Sequence, residues 1–261
     1  MYTKIDLAKH FIAKTIIKHT TMQAFILAAG LGTRLRPLTN DRPKALVTVE
    51  GRTLLEININ NLIRQGASRI VVNVHHFADM IISFVQQKSW DAEVLISDER
   101  EMLLDTGGAL KHAVPLFDSN EPVLVHNVDI LSDIDFGDML AHHRESRATA
   151  TLAVSERETS RLLIFNDNQL VGWTNRTTDE YRWSKEDRRD ANADKYLAYS
   201  GIGIIEPAFI AALPEADHPY PVVPEFLKAA AQHTVAPYLH DAARWLDVGK
   251  PETLTKAARY V

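Results

Sequence analysis

Short apolar runs alternate along the first half of the chain with longer segments whose apolar residues recur every three or four positions. The apolar runs are rich in Val and Ile and predict strands at 24–28, 70–74, 93–96 and 123–126. Between them, Thr53 and Glu56 have the spacing of a capping box, which predicts a helix start, and Gly66 is placed to end that helix. Further helices are predicted at 78–87 and 108–114. Such alternation is typical of a parallel sheet with helices on both faces.

The second half of the chain is richer in strands. Apolar runs predict strands at 148–154, 162–165, 196–205 and 245–248. The span 174–195 is polar and has no apolar period, so we expect either a mobile excursion over a binding site or an exposed hairpin. The sequence therefore predicts an α/β fold with a doubly wound, mostly parallel, Rossmann-like sheet and a smaller β-rich part.

The first 21 residues differ from the rest of the chain. They carry four lysines and one acidic residue, and they place Ile5, Ile12 and Ile16 on one helical face. They lack the continuous apolar core and the small-residue cleavage site of a secretory signal. We predict that residues 1–21 are an N-terminal extension and that residues 22–261 form a single domain.

Composition excludes several classes of protein. The 261 residues are 46% hydrophobic and 24% charged, as in ordinary soluble globular proteins. No apolar run reaches the length of a membrane span, so we predict no transmembrane segment and a cytoplasmic location. Because the chain has no cysteine, a metal must be bound by carboxylates, histidines and water. The formal net charge of −5 argues against a nucleic-acid partner, and the oligomeric state stays open.

One glycine-containing segment combines backbone freedom with positive charge. An apolar run that ends at Ala29 is followed by Gly30 and Gly32 and by four cationic residues within eleven positions. The cations are Arg34, Arg36, Arg42 and Lys44. Glycines let backbone N–H groups approach an anion, and the cations neutralise a polyphosphate, although Arg36 and Arg42 also have the alternative of being solvated loop charges. The segment predicts a phosphate-binding loop.

Two common nucleotide-binding loops do not fit this segment. A P-loop requires Gly, four residues and then Gly-Lys-Ser/Thr, and no such run occurs in the chain. A dinucleotide-binding fingerprint requires a third small residue where Leu35 stands. An NAD-dependent oxidoreductase is therefore disfavoured.

The same segment resembles the signature of a known enzyme family. Leu27-Ala28-Ala29-Gly30-Leu31-Gly32-Thr33-Arg34-Leu35-Arg36-Pro37-Leu38-Thr39, followed by Pro43-Lys44, is similar to the signature of the sugar-1-phosphate nucleotidyltransferases. The resemblance covers residues 22 to about 255. It implies a glycosyltransferase-A-like fold, in which the smaller β-rich part binds the sugar. It also implies two partners, a nucleoside triphosphate and a sugar 1-phosphate, which react to give a nucleotide sugar and pyrophosphate.

The implied reaction requires neutralisation of charge more than it requires a base. The attacking phosphate oxygen is already anionic, so the barrier is repulsion between two anions together with in-line positioning. A divalent cation bound by oxygen ligands lowers that barrier. Asp129 follows a predicted strand, and Asp247 lies in Trp245-Leu246-Asp247-Val248-Gly249. Family members carry Asn-Gly-Asp and Trp-x-Asp-x-Gly at these places, so the resemblance implies that Asp129 and Asp247 bind Mg²⁺.

The resemblance also implies the residues that contact the nucleotide. Arg34 would contact the β- and γ-phosphates and Lys44 would lie near the α-phosphate, so that these two and both aspartates form the predicted catalytic set. The implied nucleotide-binding residues are Ala28, Ala29, Gly30, Gly32, Thr33, Arg34, Lys44, Gly107 and Gly108. The last two belong to a Thr-Gly-Gly motif whose main chain should line the base and ribose, with Gly108 opening a helix.

The predicted sugar-phosphate residues are Asn127, Arg161, Ser200 and Gly201. Ser200 and Gly201 lie in a segment that resembles the family's sugar-facing strand. Relatives with a Glu-Lys-Pro phosphate clamp have no counterpart here, so Arg161 either replaces the missing lysine or is an exposed residue at the start of a strand. Val128 stands where the family has glycine, and we expect it to narrow the space beside the metal.

The expected substrates follow from resemblance within the family. The compact length and the segments around Asp129, Ser200 and Asp247 look closest to N-acetylmuramate-1-phosphate uridylyltransferases, which implies UTP, N-acetylmuramate 1-phosphate and a role in the cell envelope. Mannose-1-phosphate guanylyltransferase is the main alternative, and thymidylyl- and cytidylyltransferases stay open. A non-catalytic sugar-nucleotide-binding regulator is an alternative of a different class, which the intact Arg34 and Lys44 disfavour.

Overall fold

The computed structural model describes residues 22–186 and 194–260. The described strands are β1 (Met22–Leu27), β2 (Thr48–Val49), β3 (Arg52–Thr53), β4 (Ala67–Val74), β5 (Glu93–Asp98), β6 (Val123–Asn127), β7 (Ile130–Ser132), β8 (Ala150–Ser155), β9 (Arg161–Asn166), β10 (Gln169–Asn175), β11 (Glu180–Trp183), β12 (Lys195–Ile205), β13 (Val235–Leu239) and β14 (Trp245–Asp247). The described helices are α1 (Leu54–Arg64), α2 (Ala78–Gln86), α3 (Asp105–His112), α4 (Phe136–Glu145), α5 (Pro207–Ala212), α6 (Val223–Ala230) and α7 (Pro251–Leu254).

Four parallel strands form one half of the main sheet, in the order β6-β1-β4-β5. Successive side chains of a strand point to opposite faces, so Ala24 and Ile26 pack on one side of β1 and Phe25 packs on the other. Helices α1, α2 and α4 cover the first face, whereas α3, α5 and α6 cover the second. The predicted α/β class and the coverage on both faces are confirmed.

The other half of the sheet is mostly antiparallel and is organised by the long strand β12. This strand pairs antiparallel with β6, β8 and β9, and β13 adds to β8 in parallel. Strands β10 and β11 form a hairpin, which confirms the hairpin alternative for the first part of the polar span 174–195. Residues 187–193 of that span, and the predicted extension at 1–21, lie outside the described residues.

The sequence signals for helix starts agree with the structure at α1 and disagree with it at α3. The Thr53 side chain accepts a hydrogen bond from the Glu56 backbone N–H at 3.1 Å, so Thr53 is confirmed as the residue that caps this helix start. The Glu56 carboxylate, the other half of the predicted capping box, pairs with Lys88. Helix α3 begins at Asp105, three residues before the predicted start at Gly108. Within the described stretches, no helix combines the length and apolar character needed to cross a membrane.

The strand order brings the chemically interesting segments together. The carboxyl ends of β1 and β6 are neighbours because these strands pair in parallel, so the glycine loop after β1 meets Asp129 after β6. Strand β14 pairs antiparallel with β7 and sets Asp247 opposite Ile130. Segments that are distant in sequence therefore converge at one edge of the sheet.

Candidate active site

At Gly32, the loop after β1 has a backbone conformation that only glycine adopts readily. Gly32 has a φ of 64°, and a Cβ there would lie 3.1 Å from the Lys44 Cβ and 3.1 Å from the Thr39 Cγ2. The Thr39 hydroxyl donates to the Gly32 carbonyl oxygen at 2.8 Å, while Leu35 is buried in a core cluster. The turn is thus anchored on both sides and presents the cations that follow it.

Asn73, at the carboxyl end of β4, holds the start of this loop. Its Oδ1 accepts hydrogen bonds from the backbone N–H groups of Ala28 and Ala29 at 2.6 and 3.1 Å. Its Nδ2 donates to Glu99 Oε1 at 2.9 Å. Burial raises the pKa of Glu99, although the Asn73 hydrogen bond and the backbone of Leu104 oppose this increase. Asn73 is not among the site residues expected from the sequence, where its signal is a polar residue within an apolar strand.

Two cations of the loop lie against Asp129. The Lys44 Nζ is 2.9 Å from Asp129 Oδ2, and both side chains are largely buried. The Arg34 guanidinium is more exposed and lies 3.8 Å from the same oxygen. The other two cations differ, because Arg42 is exposed and paired with Asp41 at 3.0 Å, and Arg36 is exposed. Arg34 and Lys44 are therefore the cations that the fold directs to the site.

Gly249 leaves a gap into which both aspartates and one cation face. A Cβ on Gly249 would lie 2.7 Å from Arg34 Nη2, 2.7 Å from Asp247 Oδ1 and 3.1 Å from Asp129 Oδ2. Asp247 Oδ1 also accepts the Gly249 backbone N–H at 2.7 Å. Any side chain larger than glycine would fill this gap.

The donor set around this gap fits Mg²⁺. Among the described residues, no group of three or more His, Asp or Glu side chains is placed to bind a metal. Mg²⁺ is commonly bound through one or two carboxylates, with water and substrate phosphates as its remaining ligands. Two carboxylates beside the predicted phosphate-binding loop meet that requirement.

A cavity of about 610 Å³ extends from the loop, and its volume is typical of small-molecule binding sites. Its lining includes Ala29, Gly30, Arg34, Lys44, Asn73, Glu99, Leu103, Asp105, Thr106, Asn127 and Asp129. A neighbouring cavity of about 260 Å³ is lined by Gly32, Thr33, Arg34, Lys44 and Gly249, among others. Arg34 and Lys44 line both cavities, so these two cations lie where the cavities adjoin.

Gly107 and Gly108 differ from the expectation that their main chain lines this cavity. A Cβ on Gly107 would lie 2.4 Å from the Tyr220 ring. The backbone N–H groups of both glycines donate to the Tyr220 carbonyl oxygen, at 2.9 and 3.4 Å. Their amides are thus engaged within the protein, and Asp105 and Thr106 line the cavity instead.

Ser200 is also engaged within the protein. It is buried, and its Oγ accepts a hydrogen bond from Arg157 Nη1 at 3.0 Å and lies 2.7 Å from His240 Nε2. Burial lowers the pKa of His240, which suits a neutral ring that accepts the Ser200 proton. Gly201 has a φ of 72°, and its Cβ position lies 2.7 Å from the Asn127 side chain. Asn127 lines the main cavity, whereas Ser200 orients Arg157.

Arg157 is a half-buried cation that the sequence analysis missed. Its Nη2 donates to the Tyr199 carbonyl oxygen at 2.6 Å, and its guanidinium lies 4.1 Å from the centre of the Trp245 ring. The Trp245 indole N–H donates to the Ser200 carbonyl oxygen at 2.9 Å. Burial lowers the pKa of Arg157, and the negative charge of Asp247 opposes this change. The fold therefore holds a positive charge close to Asp247.

Of the two alternatives for Arg161, the structure agrees with an exposed residue at the start of a strand, whereas the expectation for Val128 differs from the structure. Arg161 is exposed at the start of β9 and lines neither the main cavity nor the one beside Arg157. Val128 is fully buried in a core cluster with residues of α1, and its carbonyl oxygen accepts the Asn58 amide at 2.8 Å. Because Val128 does not line the cavity, it does not narrow the space beside the carboxylates.

Comparisons with known proteins agree with this geometry. The nucleotidyl transferase family matches residues 23–162. An N-acetylmuramate alpha-1-phosphate uridylyltransferase from Caulobacter vibrioides is 34% identical and aligns with 88% of this chain and 92% of its own length. Mannose-1-phosphate guanyltransferase beta-A from Xenopus laevis is 28% identical over 88% of this chain, which spans 62% of that protein.

A solved structure has the same fold. The crystal structure of a putative glucose-1-phosphate thymidylyltransferase from Bacillus anthracis superposes with a TM-score of 0.72 at 14% identity, over 92% of this chain and 94% of its own. The family match covers more than half of the sequence and includes the glycine loop and Asp129. The resemblance seen in the sequence is thereby confirmed: the chain belongs to the nucleotidyl transferase family.

Proposed function

We propose that the protein is a Mg²⁺-dependent sugar-1-phosphate nucleotidyltransferase that converts UTP and N-acetylmuramate 1-phosphate to UDP-N-acetylmuramate and pyrophosphate. The observation that carries this proposal is the gap at Gly249, where Asp129, Asp247 and Arg34 converge beside the glycine loop. The Caulobacter relative, similar over nearly its whole length, supports the choice of substrates. The proposal includes a cytoplasmic location and a role in supplying the cell envelope.

The proposed chemistry uses the residues at the gap to reduce repulsion between two anions. An oxygen of the sugar 1-phosphate attacks the α-phosphorus of UTP as the bond to the β-phosphate oxygen breaks, so the negative charge leaves on pyrophosphate. Arg34 and Lys44 bind the triphosphate, with Lys44 near the α-phosphorus. Mg²⁺, held by Asp129 and Asp247, supplies further neutralisation of charge. No side chain needs to remove a proton.

Arg157 replaces Arg161 in the proposed set of sugar-phosphate residues. Its guanidinium is fixed by Ser200, Tyr199 and Trp245, and its charge acts on Asp247. A fixed cation close to the metal-binding carboxylates is suited to the 1-phosphate of the sugar. Asn127 stays in the set because it lines the main cavity, and Gly201 because it packs on Asn127.

Pyrophosphate release, measured with the full chain over a matrix of nucleoside triphosphates and sugar 1-phosphates, tests this function. We expect the highest kcat/KM for UTP with N-acetylmuramate 1-phosphate. A clear preference for GTP with mannose 1-phosphate would replace these substrates but retain the reaction. Nucleotide binding without pyrophosphate release from any pair would indicate a regulator that binds sugar nucleotides.

A further inference from the structure

A third cavity, of about 300 Å³, opens beside Arg157. Its wall is formed by the loop between β8 and β9, by the first residues of β12 and by Arg176, which directly follows β10. These elements belong to the antiparallel half of the fold, away from the glycine loop. The cavity is therefore separate from the region lined by Arg34 and Lys44.

This cavity contains more positive than negative charge, and its cations are unpaired. Arg157, Arg176 and Lys195 line it together with Glu156 and Glu158. Within the described parts of the chain, none of these five side chains forms an ion pair within 4.0 Å. Arg157 is already held by hydrogen bonds to Ser200 and Tyr199. The Arg176 guanidinium lies 5.6 Å from the centre of the Tyr196 ring, so Arg176 and Lys195 are the cations of this cavity whose charge can act on an added anion.

Arg157 connects this cavity to the reaction centre. Its guanidinium lies against Trp245, two residues before Asp247, and it also lines this third cavity. Arg157, the proposed ligand of the sugar 1-phosphate, is therefore also part of the wall of this cavity.

We propose that this cavity binds a second acidic group carried by the sugar 1-phosphate, a carboxylate, through Arg176 and Lys195. The inference rests on the proposed function and deepens it, because it attributes the enzyme's selection among sugar 1-phosphates to the charge that the sugar carries. The planar guanidinium of Arg176 offers paired donors to the two oxygens of a carboxylate, and Lys195 adds a flexible point charge. Neutral sugar 1-phosphates leave both cations without a partner and bind more weakly.

Two sugars that differ mainly in the acidic group provide the test. N-acetylmuramate 1-phosphate is N-acetylglucosamine 1-phosphate with an added lactyl ether, which carries the carboxylate. We expect Arg176→Ala and Lys195→Ala each to raise KM for the first sugar about tenfold, as for loss of a charge-assisted contact that is partly screened by solvent. The KM for N-acetylglucosamine 1-phosphate should change less than about twofold, since no such contact is lost.

Arg182→Ala is the matched control, because Arg182 is an exposed arginine on β11 that pairs with Glu180 and does not line the cavity. It should leave both KM values unchanged. Equal losses for the two sugars in the Arg176 and Lys195 variants would overturn the proposal, since those cations would then hold the 1-phosphate that both sugars share. Unchanged KM values for both sugars would overturn it as well.

Two further substrates identify the kind of acidic group. Glucuronate 1-phosphate carries a carboxylate and glucose 1,6-bisphosphate carries a second phosphate, and both are compared with glucose 1-phosphate. A lower KM for glucuronate 1-phosphate than for glucose 1-phosphate supports the proposal if this difference disappears in the Arg176→Ala variant. A KM that is lowered only for glucose 1,6-bisphosphate contradicts it.

Isothermal titration calorimetry separates this inference from the proposed function. The sugar 1-phosphates are titrated into the protein with a non-hydrolysable UTP analogue bound, so the measurement does not require turnover. Absence of pyrophosphate release would contradict the proposed function, while tighter binding of the acidic sugar would still support the cavity. Equal binding of both sugars alongside normal turnover would contradict the cavity alone.

Discussion

The backbone N–H of Val248 donates to the carbonyl oxygen of Asp129 at 2.9 Å. This hydrogen bond joins two segments that are distant in the sequence, at the point where each carries its aspartate. Because Asp247 directly precedes Val248, the bond fixes the backbones of the two aspartates relative to each other. The pair is therefore organised by the fold before any cation binds.

Asp129→Asn and Asp247→Asn should each lower kcat for pyrophosphate release by orders of magnitude, because each substitution removes an anionic oxygen from the proposed Mg²⁺ site. Excess chelator should have the same effect on the parent protein, and added Mg²⁺ should reverse it. Circular dichroism provides the control for folding. Full activity in either variant, or in chelator, would contradict the metal assignment.

Arg34→Ala should weaken UTP binding about tenfold, at the low end of the 1.5–3 kcal/mol of a charge-assisted contact, because Arg34 is largely exposed. Lys44→Ala should act mainly on kcat if its ammonium group contacts the α-phosphate during attack. Arg42→Ala is the control, since Arg42 is exposed and paired with Asp41. Calorimetric binding and initial rates distinguish the two effects, and parental values for both Arg34→Ala and Lys44→Ala would exclude the proposed roles.

The sequence predicts those parts of the site that depend on local pattern. Asp129 follows a recognisable strand, and the glycine loop follows another, so the rule that ligands bind at the carboxyl ends of parallel strands places them together. The α/β class follows from the same alternation of strands and helices. Such features need only residue spacing and the geometry of parallel sheets.

The features of the site that the sequence does not predict depend on contacts between segments that are distant in the chain. Gly107 and Gly108 have the expected motif, but their amides are engaged by the Tyr220 carbonyl oxygen, which nothing near them in the sequence indicates. Arg157 is four residues before Arg161, and only the packing of β12 and Trp245 distinguishes the fixed cation from the exposed one. Local pattern does not reveal which of two nearby arginines is held in place.

Arg157→Ala should raise KM for the sugar 1-phosphate by about ten- to a hundredfold, because a partly buried charge-assisted contact is lost, and should leave UTP affinity nearly unchanged. Arg161→Ala is the matched control and should leave both quantities at parental values. Initial rates with each substrate varied in turn measure the two effects. A larger effect of Arg161→Ala than of Arg157→Ala would restore the assignment expected from the sequence.

Asn73→Ala should destabilise the protein by about 1–3 kcal/mol, because it leaves the buried N–H groups of Ala28 and Ala29 without their acceptor. The same change loosens the start of the glycine loop, so KM for UTP should rise while KM for the sugar stays close to parental. Urea denaturation and initial rates measure these effects. Asn40→Ala, at an exposed position of the same loop, is the control. Parental stability in Asn73→Ala would show that the loop holds its shape without this acceptor.

His126 should make the stability of the protein fall on acidification. Burial lowers the pKa of this ring from 6.5 to about 4, with the Asn127 carbonyl oxygen, 2.9 Å from Nδ1, opposing the shift. Because the unfolded chain takes up the proton more readily, stability is retained above pH 6.5 and lost as pH falls towards 4. The shift corresponds to about 3 kcal/mol, at 1.36 kcal/mol for each pKa unit.

His126→Asn should therefore flatten the dependence of unfolding free energy on pH between about 4 and 6.5, since asparagine has no proton to gain in this range. The variant should be less stable than the parent at pH 7, because the packing of the neutral ring against Phe136 is lost. The difference in unfolding free energy between variant and parent should become smaller as pH falls. His76→Asn, at an exposed position beyond β4, is the control and should keep the parental slope. A parental slope in His126→Asn would mean that other buried groups cause the loss of stability in acid.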